Sequence, residues 1–160
     1  MNKAETYQFL TEHGICYEVT EHKAVFNMEE FDSVELPYPE LDAKNLFVRD
    51  DKKKNYYLIT VKGNKRVNLK EFRKAHGLRN LSFASLEDLM SIMGLTPGSV
   101  TPLGLLNDKE HKVRFYLDAD FTDSLMGIHP NENTATVWIK SADLVRIIKE
   151  HGNEVETVQI

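Results

Sequence analysis

The sequence predicts an α+β domain, on three observations. Runs rich in β-branched and aromatic residues recur at 15–20, 45–49, 55–61, 112–117 and 134–139. Around them lie short segments of helical periodicity, several opened by a capping residue and closed by a glycine. No internal repeat or low-complexity stretch interrupts the pattern. The chain has 160 residues, the size of one domain, so a single unit over 1–160 is expected. With 41% apolar and 28% charged residues it can bury a core, which excludes global disorder.

Ala4, Tyr7 and Leu10 share one helix face and Gly14 follows, where a left-handed residue ends a helix cheaply. Residues 15–20 then read as a strand. From 21 to 42 the chain is polar and acidic, and Pro37 and Pro39 bar regular pairing, so a loop is expected, with a helical turn at 28–31. The runs 45–49 and 55–61 flank Asp50-Asp51-Lys52-Lys53-Lys54, the strongest hairpin signal in the chain. The second run is the expected central strand.

Asn68, with Glu71 three residues on, opens a helix that Gly77 closes. Ser85 opens another through Leu86, Leu89, Met90 and Met93 to Gly94. Pro97, Gly98, Pro102 and Gly104 make 95–108 a structured loop. The strands 112–117 and 134–139, the latter with Trp138, enclose a loop at 127–131. Ser141 opens a helix through Leu144, Val145, Ile147 and Ile148 that Gly152 stops, and 155–160 can pair as a last strand. The expectation is at least five strands and three or four short helices.

The whole-chain charge is −5, from 20 Lys and Arg against 25 Asp and Glu, and gives no reason to expect a polyanionic partner. Charge by region says otherwise. Residues 44–79 hold 12 basic side chains against three acidic ones, a local charge of +9, which leaves −14 on the remainder. A basic hairpin and helix beside an acidic body suit a phosphate backbone. They equally suit a solvated hairpin tip and helix face.

Several classes of function are excluded or disfavoured. A single cysteine, Cys16, rules out an internal disulfide or a cysteine metal cluster, and its place in the first apolar strand fits a buried thiol better than a nucleophile. The histidines (His13, His22, His76, His111, His129, His151) show no metal-binding helical spacing, so neither metal nor cofactor is expected. There is no G-x-S-x-G elbow, Walker loop, Rossmann glycine pattern or H-E-x-x-H. With no signal-peptide core and no membrane span, a soluble cytoplasmic protein is expected.

Two loops stand out instead: Gly98-Ser99-Val100-Thr101-Pro102, a G-x-x-x-P pattern, and His129-Pro130-Asn131 with Asn133 and Thr134. Each alone is a weak signal. Together with Lys44-Asn45-Leu46-Phe47, in this order, the sequence resembles the YbaK/prolyl-tRNA-synthetase-associated editing superfamily, the free-standing aminoacyl-tRNA deacylases. The resemblance runs over nearly the whole chain, and residues 98–108 and 127–138 look most like the ProX or PrdX branch, which clears alanine from proline tRNA. It implies an α/β (α+β) fold: a mixed, mainly antiparallel, partly barrel-like sheet with flanking short helices. The acidic segment before Lys44 matches less well.

The resemblance also implies site residues. Lys44 matches the family's essential lysine, expected to hold the phosphate next to the terminal adenosine, a role suited to a flexible point charge. Asn45 matches the asparagine expected to help seat the aminoacyl ester. The loop from Gly98 to Pro102 matches the one whose backbone amides face the scissile carbonyl, and His129 matches the histidine expected to orient substrate or water, or to act directly. Lys52, Lys53, Lys54, Lys65, Arg66, Arg73 and Lys74 are the further candidates for tRNA contact.

The implied reaction is hydrolysis of the ester joining an amino acid to the tRNA 3′ end. An activated ester can be cleaved by oriented water and an oxyanion site, which agrees with the missing triad. The expected substrate is Ala-tRNA(Pro), with Pro-tRNA(Pro) spared by size and prolyl-tRNA synthetase a candidate transient partner. A sibling deacylase for Cys- or Ser-charged tRNA, or a non-catalytic tRNA-binding module of the same fold, remains open.

Overall fold

The structure, a computed structural model, describes residues 1–24 and 35–160. The helical turn expected at 28–31 lies outside the described residues. Strands β2 (Ala43–Asp50) and β3 (Tyr56–Lys62) form the expected hairpin, with Lys44 opposite Val61 and Asn45 opposite Thr60. Asp50 builds its turn: the carboxylate accepts from Lys54 N at 3.0 Å and Asn55 Nδ2 at 2.7 Å, while the Asp50 carbonyl accepts from Lys53 N at 3.1 Å.

β3 is central, as its near-continuous apolar run requires of a strand buried on both faces. The five-stranded sheet also contains β4 (Leu81–Phe83), β5 (Val113–Asp118) and β8 (Val155–Val158), in the order β4-β2-β3-β5-β8. β2 pairs antiparallel with β3 and β4, whereas β3–β5 and β5–β8 are parallel. A second, antiparallel sheet has the order β1-β7-β6, from β1 (Tyr17–Glu21), β6 (Leu125–Ile128) and β7 (Ala135–Lys140). The two sheets share a core of Phe47, Leu58, Phe115, Met126, Val137 and Ile139, among others, and meet at an isolated bridge between Asp42 and Gly127. Antiparallel pairing predominates as expected, but the sheets do not close into a barrel.

The helices follow their caps. α1 (Lys3–Glu12) has a capping box between Asn2 and Glu5, α2 (Leu69–His76) is capped by Asn68 and ends at left-handed Gly77, and α4 (Ser141–His151) ends at Gly152. Ser85 caps α3 (Leu86–Asp88), which runs on as a π-turn over Leu89–Met93 to Gly94. Phe72 of α2 packs with Val48, Tyr57, Ile59, Val61 and Tyr116 on the outer face of the large sheet. The loop expected at 95–108 contains a 3-10 helix, Pro102–Asn107.

Three expectations are corrected, and one strand is added to them. β6 occupies part of the loop expected at 127–131, because Gly127 is a strand residue on which Trp138 lies: a Cβ there would stand 2.4 Å from the indole. β4 is an unexpected strand, at three residues too short to show a period. Cys16 is exposed: Ile15 takes the buried position, and the following side chain faces out at the edge of the small sheet. In α1 the buried residues are Thr6 and Leu10, with Ala4 exposed.

Candidate active site

Strand pairing places Asn45 beside Thr60, and the Thr60 hydroxyl donates to Asn45 Oδ1 at 2.6 Å. Asn45 Nδ2 in turn donates to the carbonyl of Val100 at 3.3 Å, tying β2 to the G-x-x-x-P loop. Gly98, at φ +80°, supplies the left-handed residue that the turn needs, and Ser99 N closes it onto Pro97 O at 2.7 Å and Thr96 O at 3.1 Å. Pro102 opens the 3-10 helix with Thr101 as its cap. The Thr101 hydroxyl donates to the His129 carbonyl at 2.7 Å, which joins the two loops.

Thr101 is fully buried, yet among the described residues neither its N–H nor that of Val100 donates to a protein acceptor. Buried backbone donors are nearly always paired, so the unpaired Thr101 N–H, next to that of half-buried Val100, marks a place suited to an acceptor from outside the protein.

His129 Nδ1 lies 2.9 Å from the Ala135 carbonyl. A carbonyl only accepts, so Nδ1 carries the hydrogen and Nε2 of the neutral ring presents a lone pair. Burial pulls the imidazole below its ordinary pKa, against the Ala135 hydrogen bond and with some help from His22, whose ring centroid is 6.2 Å away. The ring is therefore neutral at pH 7. Its loop is held by Asn131, whose Nδ2 donates to Met1 O at 3.1 Å and Thr6 Oγ1 at 3.2 Å.

Lys44 adjoins Asn45, so strand alternation turns its side chain to the other face of the sheet. Its ammonium donates to the Lys65 carbonyl. Burial and then the Arg66 guanidinium push its pKa down, and exposed Arg66 makes no ion pair among the described residues. Two cations close enough to repel one another favour an anion near both.

The basic block does not form one patch. Lys65 is neutralised by Asp118 at 2.6 Å and Asp120 at 3.0 Å. Arg49 pairs with Asp88 at 2.7 Å, and Arg79 with Asp51 at 2.5 Å. Lys52, Lys53 and Lys54 sit exposed at the hairpin tip, which at ~3.3 Å per residue is ~20 Å along β2 from Lys44. Arg73 and Lys74 belong to the last turn of α2. Thus Asn45, the 98–102 loop and His129 come together, Lys44 and Arg66 stand at the same end of the hairpin, and the tip lysines stand apart.

Three further residues are not among those the sequence singles out one by one. Thr60 reads as an ordinary β-branched strand residue. Thr101 at least lies inside the G-x-x-x-P loop. Asp42, in the acidic stretch, is pushed up to about 7 by burial, no charge contributes to that shift, and its carbonyl accepts from Gly63 N at 2.8 Å.

A model of the aminoacyl-tRNA editing domain matches residues 22–147. The chain belongs to this family. Among curated proteins it is similar to the prolyl-tRNA editing protein ProX of Acetoanaerobium sticklandii, 34% identical over 152 residues that cover 94% of this chain and 93% of that protein. The prolyl-tRNA synthetase associated domain-containing protein 1 of Mus musculus is also 34% identical, over 95% of this chain and 92% of its own. Among solved structures, one provisionally described as a trans-editing enzyme for prolyl tRNA synthetase superposes with a TM-score of 0.69 at 20% identity, over 100% of this chain and 98% of that one, a likeness of fold. The editing family thus accounts for both the motif order and the two-sheet architecture. No helix among the described residues is long and apolar enough to cross a membrane.

Proposed function

We propose that the protein, acting as one unit over 1–160, is a trans-editing deacylase that hydrolyses the ester of alanine mischarged on proline tRNA. The observation that carries this reading is the pair of amides at Val100 and Thr101, without a protein acceptor among the described residues, near Asn45 and a neutral His129, in a chain of the editing family. The similarity to ProX, a prolyl-tRNA editing protein by name, supports the choice of tRNA.

Attack of water on the ester carbonyl places negative charge on its oxygen. The Val100 and Thr101 N–H groups stabilise that oxyanion, which is worth more to the transition state than to the ester. Neutral His129 receives a hydrogen bond from the water at Nε2 and orients it, without the triad that a less activated bond would require. Lys44 and Arg66 hold a phosphate of the tRNA terminus. The tetrahedral intermediate then collapses, the ribose oxygen leaving with the proton that the attacking water gives up by way of His129 Nε2, which yields free alanine and intact tRNA.

Selectivity follows from size. A synthetase pocket that fits proline rejects the smaller alanine by only about 1–3 kcal/mol, so a second pocket that admits alanine and excludes proline completes the discrimination. The test is a panel of proline tRNAs charged with Pro, Ala, Ser or Cys, incubated with the purified protein. Rapid loss of alanine alone is expected. Preferential loss of serine or cysteine would replace the assigned substrate, and binding without turnover would make the protein a tRNA-binding module.

A further inference from the structure

Thr60 is fully buried on the central strand, with its hydroxyl 2.6 Å from Asn45 Oδ1. An asparagine amide can be turned end for end, so its neighbours decide which end faces which. The Val100 carbonyl only accepts, and only Nδ2 can face it. Oδ1 is thereby directed at Thr60, and Thr60 must be the donor. The two strands and the loop thus form one directional relay, from the Thr60 hydroxyl through the Asn45 amide to the Val100 carbonyl.

The consequence lies on the far side of the peptide. A trans peptide unit is planar with its C=O and N–H opposed, so fixing the Val100 carbonyl fixes the direction of the Thr101 N–H. That N–H belongs to a fully buried residue and has no protein acceptor among the described residues. Thr101 is tethered a second time, through its hydroxyl, to the carbonyl of His129. Thr101 is thus held on two sides, through the peptide plane that Asn45 fixes and through the hydroxyl that reaches the backbone of the His129 loop.

We propose that Thr60 is a positioning residue: through Asn45 it holds the Val100–Thr101 peptide plane so that the Thr101 N–H points at the oxyanion. The inference rests on the deacylase reading for its chemistry but has a readout independent of turnover. Thr60→Val keeps the shape and removes the hydroxyl, while Thr60→Ser keeps the hydroxyl. On Ala-tRNA(Pro), Thr60→Val lowers kcat by about tenfold or more with KM within about twofold, because the misaimed donor serves only the transition state. Thr60→Ser recovers most of kcat. In NMR spectra of the whole protein, Thr60→Val shifts the Asn45 side-chain amide and the Thr101 backbone amide and speeds their exchange, and Thr60→Ser does not.

Unchanged kcat in a folded Thr60→Val, or a loss confined to KM, overturns the assignment. So do unmoved Asn45 and Thr101 amides, whether or not the protein turns over. A wild type that hydrolyses no aminoacyl-tRNA, yet shows these NMR changes, sinks the deacylase reading while supporting the relay. Should Thr60→Val fail to fold, Asn45→Asp tests the same link, since it sets a carboxylate oxygen against the Val100 carbonyl. The same fall in kcat is expected, and full activity would overturn the relay.

Discussion

The two faces of β2 do opposite things with neighbouring residues. On one face Asn45 belongs to a neutral relay, with both ends of its amide engaged, anchored on buried Thr60 and reaching the loop at Val100. On the other, Lys44 is a partly desolvated cation that donates to a carbonyl, with Arg66 near enough to depress its pKa and, among the described residues, no carboxylate in contact. A neutral relay keeps its geometry at modest cost, because every polar atom in it is paired. A cation pair without a counter-ion is held apart from its optimum and gains most when an anion arrives. On the proposed function, the difference gives geometry to the Asn45 face and affinity for phosphate to the Lys44 face, one residue apart.

The largest expected effect tests the charged face. If Lys44 holds the phosphate as proposed, Lys44→Ala lowers kcat/KM for Ala-tRNA(Pro) by roughly 100-fold, with the circular dichroism spectrum and melting curve unchanged. An active, folded variant would separate Lys44 from the site. Arg66→Ala, acting on the exposed member of the pair, costs less, about tenfold.

The neutral face makes a pH prediction. Because burial depresses the His129 pKa, the ring stays neutral through pH 7 and the acid limb of kcat/KM lies below the ordinary histidine value of about 6.5. The same depression gives a stability sign: below about pH 6.5 the unfolded chain takes up a proton that the native ring refuses, so this contribution is present above that pH and lost as pH falls. An acid limb above pH 6.5 that vanishes in His129→Gln would contradict the neutral ring.

Asp42, at the bridge between the sheets, shifts the other way. Its native carboxyl ionises near 7 and the unfolded one near 3.9, so the native state holds the extra proton between those values. Its contribution to stability therefore falls as pH rises from about 4 to 7. Asp42→Asn should melt higher than wild type at pH 8 by a few degrees, reflecting roughly 2 kcal/mol once partial exposure is allowed for, and should match it near pH 4. A constant difference across that range would show that the carboxyl is not the cause.

How much of this the sequence displays depends on how local each cause is. The hairpin, the Asn68 and Ser85 caps and the central strand are visible because their determinants lie within a few residues. β6 is hidden because Gly127 is explained only by Trp138, which a strand pairing brings over it. The motif residues are legible as types, yet the relay that organises them needs Thr60, 15 residues from Asn45, and Val100, 55 residues away. Lys65 joins a basic block on paper and a carboxylate pair in space, because Asp118 and Asp120 come from 53 and 55 residues further on.

The smallest expected effect concerns the tip lysines, which in sequence look continuous with Lys44. A seven-residue strand separates the two groups by ~20 Å, so the tip is out of reach of a phosphate bound at Lys44 and could meet only more distant parts of a bound tRNA. Replacing Lys52, Lys53 and Lys54 by Ala should leave kcat unchanged and weaken tRNA binding about threefold at physiological salt. The slope of log K against log salt should flatten by roughly one to three, according to how many of the three meet a phosphate. An unchanged slope would confine recognition to the Lys44 and Arg66 end, and a fall in kcat would mean that the two ends of the hairpin are coupled more tightly than their separation allows.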